Sequence, residues 1–475
     1  MDQAYLSRFG HALLAAILLL GGCATAPGPT SPAPRAPATD TRGVPGVQDA
    51  QLDADYWIRR QPQADRIVLD RAAIVAQNAR LQRTDNSVRD IEALPDHLNG
   101  AQVKTWIGDL SQRPSRTLYD EQGREVPAKT LDALVRDVRI DAVPASQVTR
   151  YGLVVHRADL RTFPTRLRVF SRQGDTDIDR FQESALFPGT PVAIVHESRD
   201  RKWWFVASAL YAAWIEKDKV AEGGKQAVFG YTRKAPYLVV TGATARTVFT
   251  PEQPQVSDLQ LEMGVRVPLL RDWPADKPVN GQHPYSSHVI ELPVRGKDGA
   301  LQFSPALLPR NADVSADYLP LNRANVLRQS FKFLGERYGW GHSYNTRDCS
   351  GFVSEVYRSF GIALPRNTSD QSVSPALDRI HFEPGDGRDK RDPVVRDLQV
   401  GDLVYIPGHV MMVIGHDNGM PYVIHDTNGG SWRGPDGKVI GGKLNGVSVT
   451  PLSVLMFNDE QSYIDRITNI QRIRP

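Results

Sequence analysis

The sequence predicts an α+β protein: an N-terminal helical segment, two small all-β units, and a mixed helix–strand domain at the C-terminal end. Three observations carry this. At about Tyr151 the apolar period changes from helical spacing to short alternating runs broken by turn residues. Helical spacing returns at Asn322, and short strand-like runs follow from Gly401. With 475 residues the chain suits three to four compact units rather than one core.

Arg8 and His11 precede the apolar run Ala12 to Leu20, which is too short for a membrane helix and makes residues 1–22 read as an export signal. Pro27, Pro29, Pro32, Pro34 and Pro37 make residues 23–46 an extended spacer. Residues 47–145 read as helical and polar. Ile67, Leu69, Ile74, Val75 and Leu81 fall in one expected helix and Leu131 to Val138 in another, with no visible chemistry. Residues 146–230 read as a small barrel. Its expected strands are Leu153-Val154-Val155, Leu167 to Val169, Val192 to Val195, Trp203 to Val206 and Tyr211 to Ile215. Residues 235–312 read as a second all-β unit with longer loops, such as Trp273 to Tyr285. Residues 318–475 form the last domain. It opens with a helix from Asn322 to Leu334, and Glu383 to Asp392 is expected to be an exposed loop.

The chemistry concentrates in that last domain. Cys349 is the only cysteine besides Cys23, and it stands between polar Asp348 and Ser350 rather than among core residues. After it, Phe352, Val353, Val356, Tyr357 and Phe360 mark one helical face, with Asp348 as N-cap and Gly361 as stop. A thiol in the first turn has its thiolate favoured by unpaired N–H groups and the helix dipole. His409 and His425 lie on two later strand-like runs, so the chain holds a nucleophile, a base and an orienting group. The plainer reading is a buried core cysteine with structural histidines. A zinc site from His409, His416, His425 and Asp426 is a further alternative, but no close HxxH or CxxC spacing supports it.

The hairpin between the histidines offers a check. A three-residue loop, Asp417-Asn418-Gly419, would pair His416 with Met420 and set Met411 against His425, with His409 diagonal on the same face. A two-residue Asn418-Gly419 turn would put the imidazoles on opposite faces. Catalysis needs the first register, or a bulge with the same effect.

Four blocks together resemble the NlpC/P60 family of papain-like cysteine peptidases. They are Tyr338-Gly339-Trp340-Gly341, Asp348-Cys349-Ser350-Gly351-Phe352-Val353, Gly401-Asp402-Leu403-Val404-Tyr405, and His409-Val410 with Ile424-His425. His342 stands where that family usually has a glycine and is expected to narrow the substrate channel. Trp203-Trp204 and Ala213-Trp214-Ile215 resemble the strand ends of bacterial SH3-like domains, and the second β unit is similar to a divergent copy. Leu20-Gly21-Gly22-Cys23 resembles a bacterial lipobox, with Cys23 as the acylated residue. Ala24 leans toward an outer-membrane, periplasm-facing anchor.

The resemblance implies hydrolysis of the γ-D-glutamyl–diamino acid bond in peptidoglycan stem peptides, with no cofactor and no metal. Cys349 would be the nucleophile, His409 the base and His425 its orienting partner. Tyr338 would assist at the oxyanion beside the Cys349 N–H. Asp348, Ser350 and a barrel tyrosine, Tyr211 or Tyr151, would bind substrate, with Asp348 and the tyrosine holding the free amine of an N-terminal L-Ala. Two other readings stand beside this one: a non-catalytic wall-binding lipoprotein, and a thiol acyltransferase or amidase. With 57 Lys+Arg, 54 Asp+Glu and a formal charge of +3, the chain lacks the basic footprint of a nucleic-acid binder.

Overall fold

The computed structural model describes residues 43–434 and 436–474. The export signal, Cys23 and most of the proline-rich spacer lie outside the described residues. No helix among the described residues is long and apolar enough to cross a membrane.

The region after the spacer divides between two cores. Trp57 and Ile74 are buried in the core of the C-terminal domain, where Trp57 lies 5.0 Å from the Tyr422 ring. Leu98, Val103, Ile107, Leu131 and Val138 join the core of the first barrel instead. Ile67–Leu69 is a strand paired with Leu321–Asn322, and the helix begins only at Arg71 and runs to Thr84. Asp70 decides this boundary. It is extended, and its carboxylate caps the helix by accepting from the Ala73 N–H at 2.8 Å.

The first barrel is a seven-stranded antiparallel sheet. Its spatial order is Val220–Gly223, Arg150–Val154, Pro191–Glu197, Trp203–Ala207, Ala212–Glu216, Ala158–Arg161, Gln182–Leu186. The expected strand at Leu167 to Val169 is absent. That stretch wraps a buried ion pair, Arg161 Nη1 to Asp179 Oδ2 at 2.6 Å, and Arg161 also donates to the carbonyls of Thr165 and Leu167. Backbone groups satisfied by a guanidinium need no neighbouring strand. The second β unit has its own apolar core, built from a three-stranded sheet and two hairpins, the longer being Ser287–Arg295 with Leu301–Pro309.

The C-terminal domain carries a six-stranded antiparallel sheet. The order is Asp378–His381, Asn469–Arg472, Leu403–Ile406, His409–Asp417, Met420–Thr427, Gly446–Pro451. The helix Cys349–Arg358 buries Phe352, Val353, Val356 and Tyr357 against Val410, Met412, Ile414 and Ile424. Gly361, at φ +80°, ends it. The expected loop at Glu383 to Asp392 contains the start of a helix, Arg388–Arg396. Arg391 sets its guanidinium over the Phe382 ring and donates to the Ile467 carbonyl, which turns a polar stretch into a packed one.

The hairpin joining the two histidine strands takes the two-residue turn, with Asn418 and Gly419 both at positive φ and Asp417 opposite Met420. His416 therefore pairs with Pro421, not Met420. A bulge at Ile414-Gly415 restores the register, so Met412 stands opposite Ile424, the alignment that sets Met411 rather than Met412 across from His425. The N-terminal segment helps to hold this shape. A Cβ on Gly415 would sit 3.1 Å from the Trp57 ring, and Gln51 and Tyr56 both bond the Asp417 carboxylate at the hairpin tip.

Candidate active site

Cys349 opens its helix with Asp348 as N-cap; Asp348 Oδ1 accepts from the Gly351 N–H at 2.8 Å. The first N–H of a helix has no intrahelical acceptor, so the Cys349 amide is free to serve as a donor. The thiol lies on a cleft of about 600 Å³ lined also by Tyr338, Trp340, Ser350, Arg366, Thr368 and, from the barrel, Glu183 and Tyr211. Burial and the neighbouring Asp348 carboxylate push the thiol up to about 12, against the opposing effects of Thr368 and the Val410 backbone. The ligand-free site therefore holds a neutral thiol, and burial outweighs the helix N-terminus that favours the thiolate.

His409 and His425 meet: His409 Nε2 lies 2.8 Å from His425 Nδ1, and His425 Nε2 lies 3.0 Å from Thr450 Oγ1. One proton arrangement leaves His409 able to act as a base. In it His409 Nε2–H donates to His425 Nδ1, and His425 Nε2–H donates to the Thr450 hydroxyl, so His409 Nδ1 keeps its lone pair. Burial lowers His409 to about 4, and burial together with His409 lowers His425 well below its ordinary value. Both rings are neutral at pH 7. Cys349 Sγ lies 3.6 Å from Thr368 Oγ1, and the Val410 backbone acts on the thiol, so the start of the His409 strand lies beside it. Among the described residues no group of three acidic, histidine or cysteine side chains could hold a metal.

Tyr338 is buried on the cleft, and its phenol is pushed well up by burial and by the Cys349 sulfur, so it stays a proton donor. Asp426 is fully buried with both oxygens unpartnered. Burial, Asp348 and Glu336 push its carboxyl well up.

Asp348 borders the cleft, but its carboxylate is already engaged. Besides Gly351 it accepts from the Gly341 N–H at 3.0 Å, Ser350 Oγ at 3.1 Å and two nitrogens of Arg366. Arg366 and the His342 ring hold it down at about 2 against burial. Ser350 is buried within the same network, accepting from Arg366 Nη1 at 2.8 Å. Tyr211 reaches the cleft and donates to Glu183 Oε2 at 2.5 Å, while Thr162 donates to Glu183 Oε1 at 2.5 Å. Tyr151 sits instead in the barrel core against Phe229.

His342 does not narrow the channel. With Gly341 at φ +58° and His342 at φ +64°, the turn folds the ring beneath the nucleophile helix, where it is 4% exposed. Its Nδ1 accepts from Arg366 Nη2 at 2.9 Å, so the other nitrogen carries the proton and donates to Glu355 Oε1 at 3.2 Å. Glu183, Arg366, Thr368 and Thr450 escaped the sequence reading. Arg366 belongs to no motif or periodic run, and Thr450 resembles any strand threonine until its strand is paired.

Residues 335–438 match the NlpC/P60 family model, and residues 168–216 match the SH3 domain model of SH3b1 type. The C-terminal domain is an NlpC/P60 domain. The NlpC/P60 match contains Cys349, His409 and His425, and an SH3b domain precedes it. The chain is 29% identical over 181 residues to a gamma-D-glutamyl-L-lysine dipeptidyl-peptidase of Bacillus cereus, covering 37% of this chain and 48% of the relative. It is 32% identical over 112 residues to a probable endopeptidase p60 of Listeria seeligeri, covering 22% of this chain and 20% of that one. The chain thus spans about half the length of the first relative and a fifth of the second. An NlpC/P60 endopeptidase from Photobacterium damselae subsp. piscicida shares the fold, with a TM-score of 0.71 at 17% identity over 88% of this chain and 96% of that one.

Proposed function

We propose that this protein is a cell-wall cysteine peptidase that hydrolyses the γ-D-glutamyl–diamino acid bond of peptidoglycan stem peptides bearing a free N-terminal L-Ala. The observation that carries the reading is the pairing of Glu183 and Tyr211 in the same cleft as Cys349. A barrel strand ends the cleft with a carboxylate suited to an ammonium group. Asp348, committed to Arg366, adds negative charge from below rather than a free acceptor. The Bacillus cereus relative, named for the γ-D-glutamyl-L-lysine linkage, supports the choice of bond.

In this reading the Cys349 sulfur attacks the γ-carbonyl carbon of D-glutamate as its proton passes to His409 Nδ1. The oxyanion is met by the Cys349 N–H and the Tyr338 hydroxyl. The His409 imidazolium, held by His425, gives its proton to the leaving amine of the diamino acid. Water, deprotonated by His409, then cleaves the thioester and restores the thiol. A lipid anchor at Cys23, facing the periplasm, belongs to the same proposal and rests on Leu20-Gly21-Gly22-Cys23.

The test is incubation with defined muropeptides and product analysis by mass. L-Ala-γ-D-Glu and a free diamino-acid peptide are expected from substrates with a free amine, and little from the same peptide amide-linked to glycan. Glu183→Gln should erode that preference. Equal rates on both substrates would show an open cleft. Acyl transfer without hydrolysis would show a transferase, and no turnover would show a binding protein.

A further inference from the structure

Two guanidinium groups on the cleft are used by no step above. Arg116 comes from the segment ahead of the helix Ala128–Val138, and Arg180 from the stretch between the barrel strands Ala158–Arg161 and Gln182–Leu186. These segments lie side by side because Tyr119 and Phe170 exchange backbone hydrogen bonds, each 2.8 Å. The Arg180 N–H is tied to the Val169 carbonyl at 2.7 Å.

Among the described residues, neither guanidinium has a carboxylate within ion-pair distance. Arg180 Nε donates to Ser171 Oγ at 2.7 Å, and its guanidinium carbon lies 5.9 Å from the centre of the Trp340 ring. Burial and the charge of Arg116 both lower Arg180, and Asp175, the acid that acts on it, is too distant to pair. A solvated surface would explain Arg116 alone, since it is exposed. It does not explain two mutually repelling cations directed into the cavity that holds the nucleophile, one of them set against an indole ring.

We propose that Arg116 and Arg180 form a carboxylate-binding subsite on the Tyr338–Trp340 side of Cys349. This rests on the stem-peptide reading, and it names a second recognised group. A γ-linked D-glutamate keeps its α-carboxylate, and a diamino acid brings one or two more. Tyr211 and Glu183 line the same cleft, with Tyr211 within electrostatic range of Arg366 and Asp370. An acceptor for the ammonium and a separate donor pair for a carboxylate in one cleft would select a zwitterionic peptide.

The experiment compares three tripeptides in the full chain. They are L-Ala-γ-D-Glu-diaminopimelate, the same peptide amidated at the glutamate α-carboxylate, and L-Ala-γ-D-Glu-L-Lys-amide. KM and kcat are measured for wild type, Arg116→Gln, Arg180→Gln and the double variant. Arg116 is exposed and, among the described residues, makes no side-chain hydrogen bond, so its variant guards against a folding artefact. The double variant is expected to raise KM about tenfold or more on the first peptide, as for one lost charge-assisted contact, with kcat little changed. The effect should vanish on one of the amidated peptides, and which one identifies the carboxylate. Equal losses on all three, or none on any, would overturn the subsite while leaving the peptidase reading standing. If wild type cleaves none of them, the peptidase reading fails and the subsite with it.

Discussion

Arg366 holds the Asp348 carboxylate with both terminal nitrogens, Nη1 to Oδ1 at 3.2 Å and Nη2 to Oδ2 at 2.8 Å. The same guanidinium donates from Nε to Ser184 Oγ of the barrel at 2.6 Å and from Nη2 to His342 Nδ1. One buried side chain thus joins the cap of the nucleophile helix to the barrel wall of the cleft. Arg366→Ala should cost about 3–5 kcal/mol of stability, because Asp348 would be left buried without its cation. Arg366→Lys keeps the charge but loses the fork, so it should fold while losing activity. Denaturant melts and turnover on one peptide check both. A lysine variant with wild-type kcat would show that charge alone suffices.

Cys349→Ala and His409→Ala should each lower turnover by several orders of magnitude while the fold persists. His425→Ala should cost less, since nucleophile and base remain but lose their orientation. Circular dichroism and product formation on the free-amine tripeptide separate folding from chemistry. Near-normal turnover by Cys349→Ala would end the peptidase assignment.

Thr450 selects the proton arrangement of the two rings. Thr450→Val removes the acceptor for His425 Nε2–H and should lower kcat about tenfold, the equivalent of one hydrogen bond, with KM little changed. Thr450→Ser keeps the hydroxyl and should recover most of the rate. Equal losses in both variants would point to packing rather than the hydroxyl.

The pH dependence follows from the depressed histidines. His409 is lowered to about 4, so kcat/KM should stay level from pH 7 down to about 5 and fall as pH drops through about 4, when the base is protonated. No acid limb near the ordinary histidine value of 6.5 is expected. Stability follows the same sign. His342, lowered to about 4 by burial and Arg366, contributes stability that is complete above 6.5 and is lost as pH falls through about 4. Melting temperature against pH checks this; a midpoint of loss above pH 6 would contradict it.

Cys23→Ser should abolish lipid attachment and release the protein from membranes. Mass measurement of the wild type and fractionation of both forms decide the matter. An unlipidated, soluble wild type would remove the anchor.

What the residues determined by themselves was local. The helix start at Asp348-Cys349 and its stop at Gly361 follow from capping and from a left-handed glycine, which act over a few residues. The apolar face of that helix and most of the barrel strands follow from periodicity in the same way. The tertiary structure decided what depends on residues far apart in the chain. Trp57 sits over the bulge at Gly415, so a segment more than 350 positions away helps to hold the His425 register. Arg161 satisfies carbonyls that an expected strand would have used. Burial, which no spacing reveals, raised the Cys349 thiol against the helix N-terminus and turned His342 from a cleft residue into a bridge beneath it. Packing also committed Asp348 to Arg366, leaving Glu183, a glutamate with no motif of its own, as the half-buried acceptor facing the cleft.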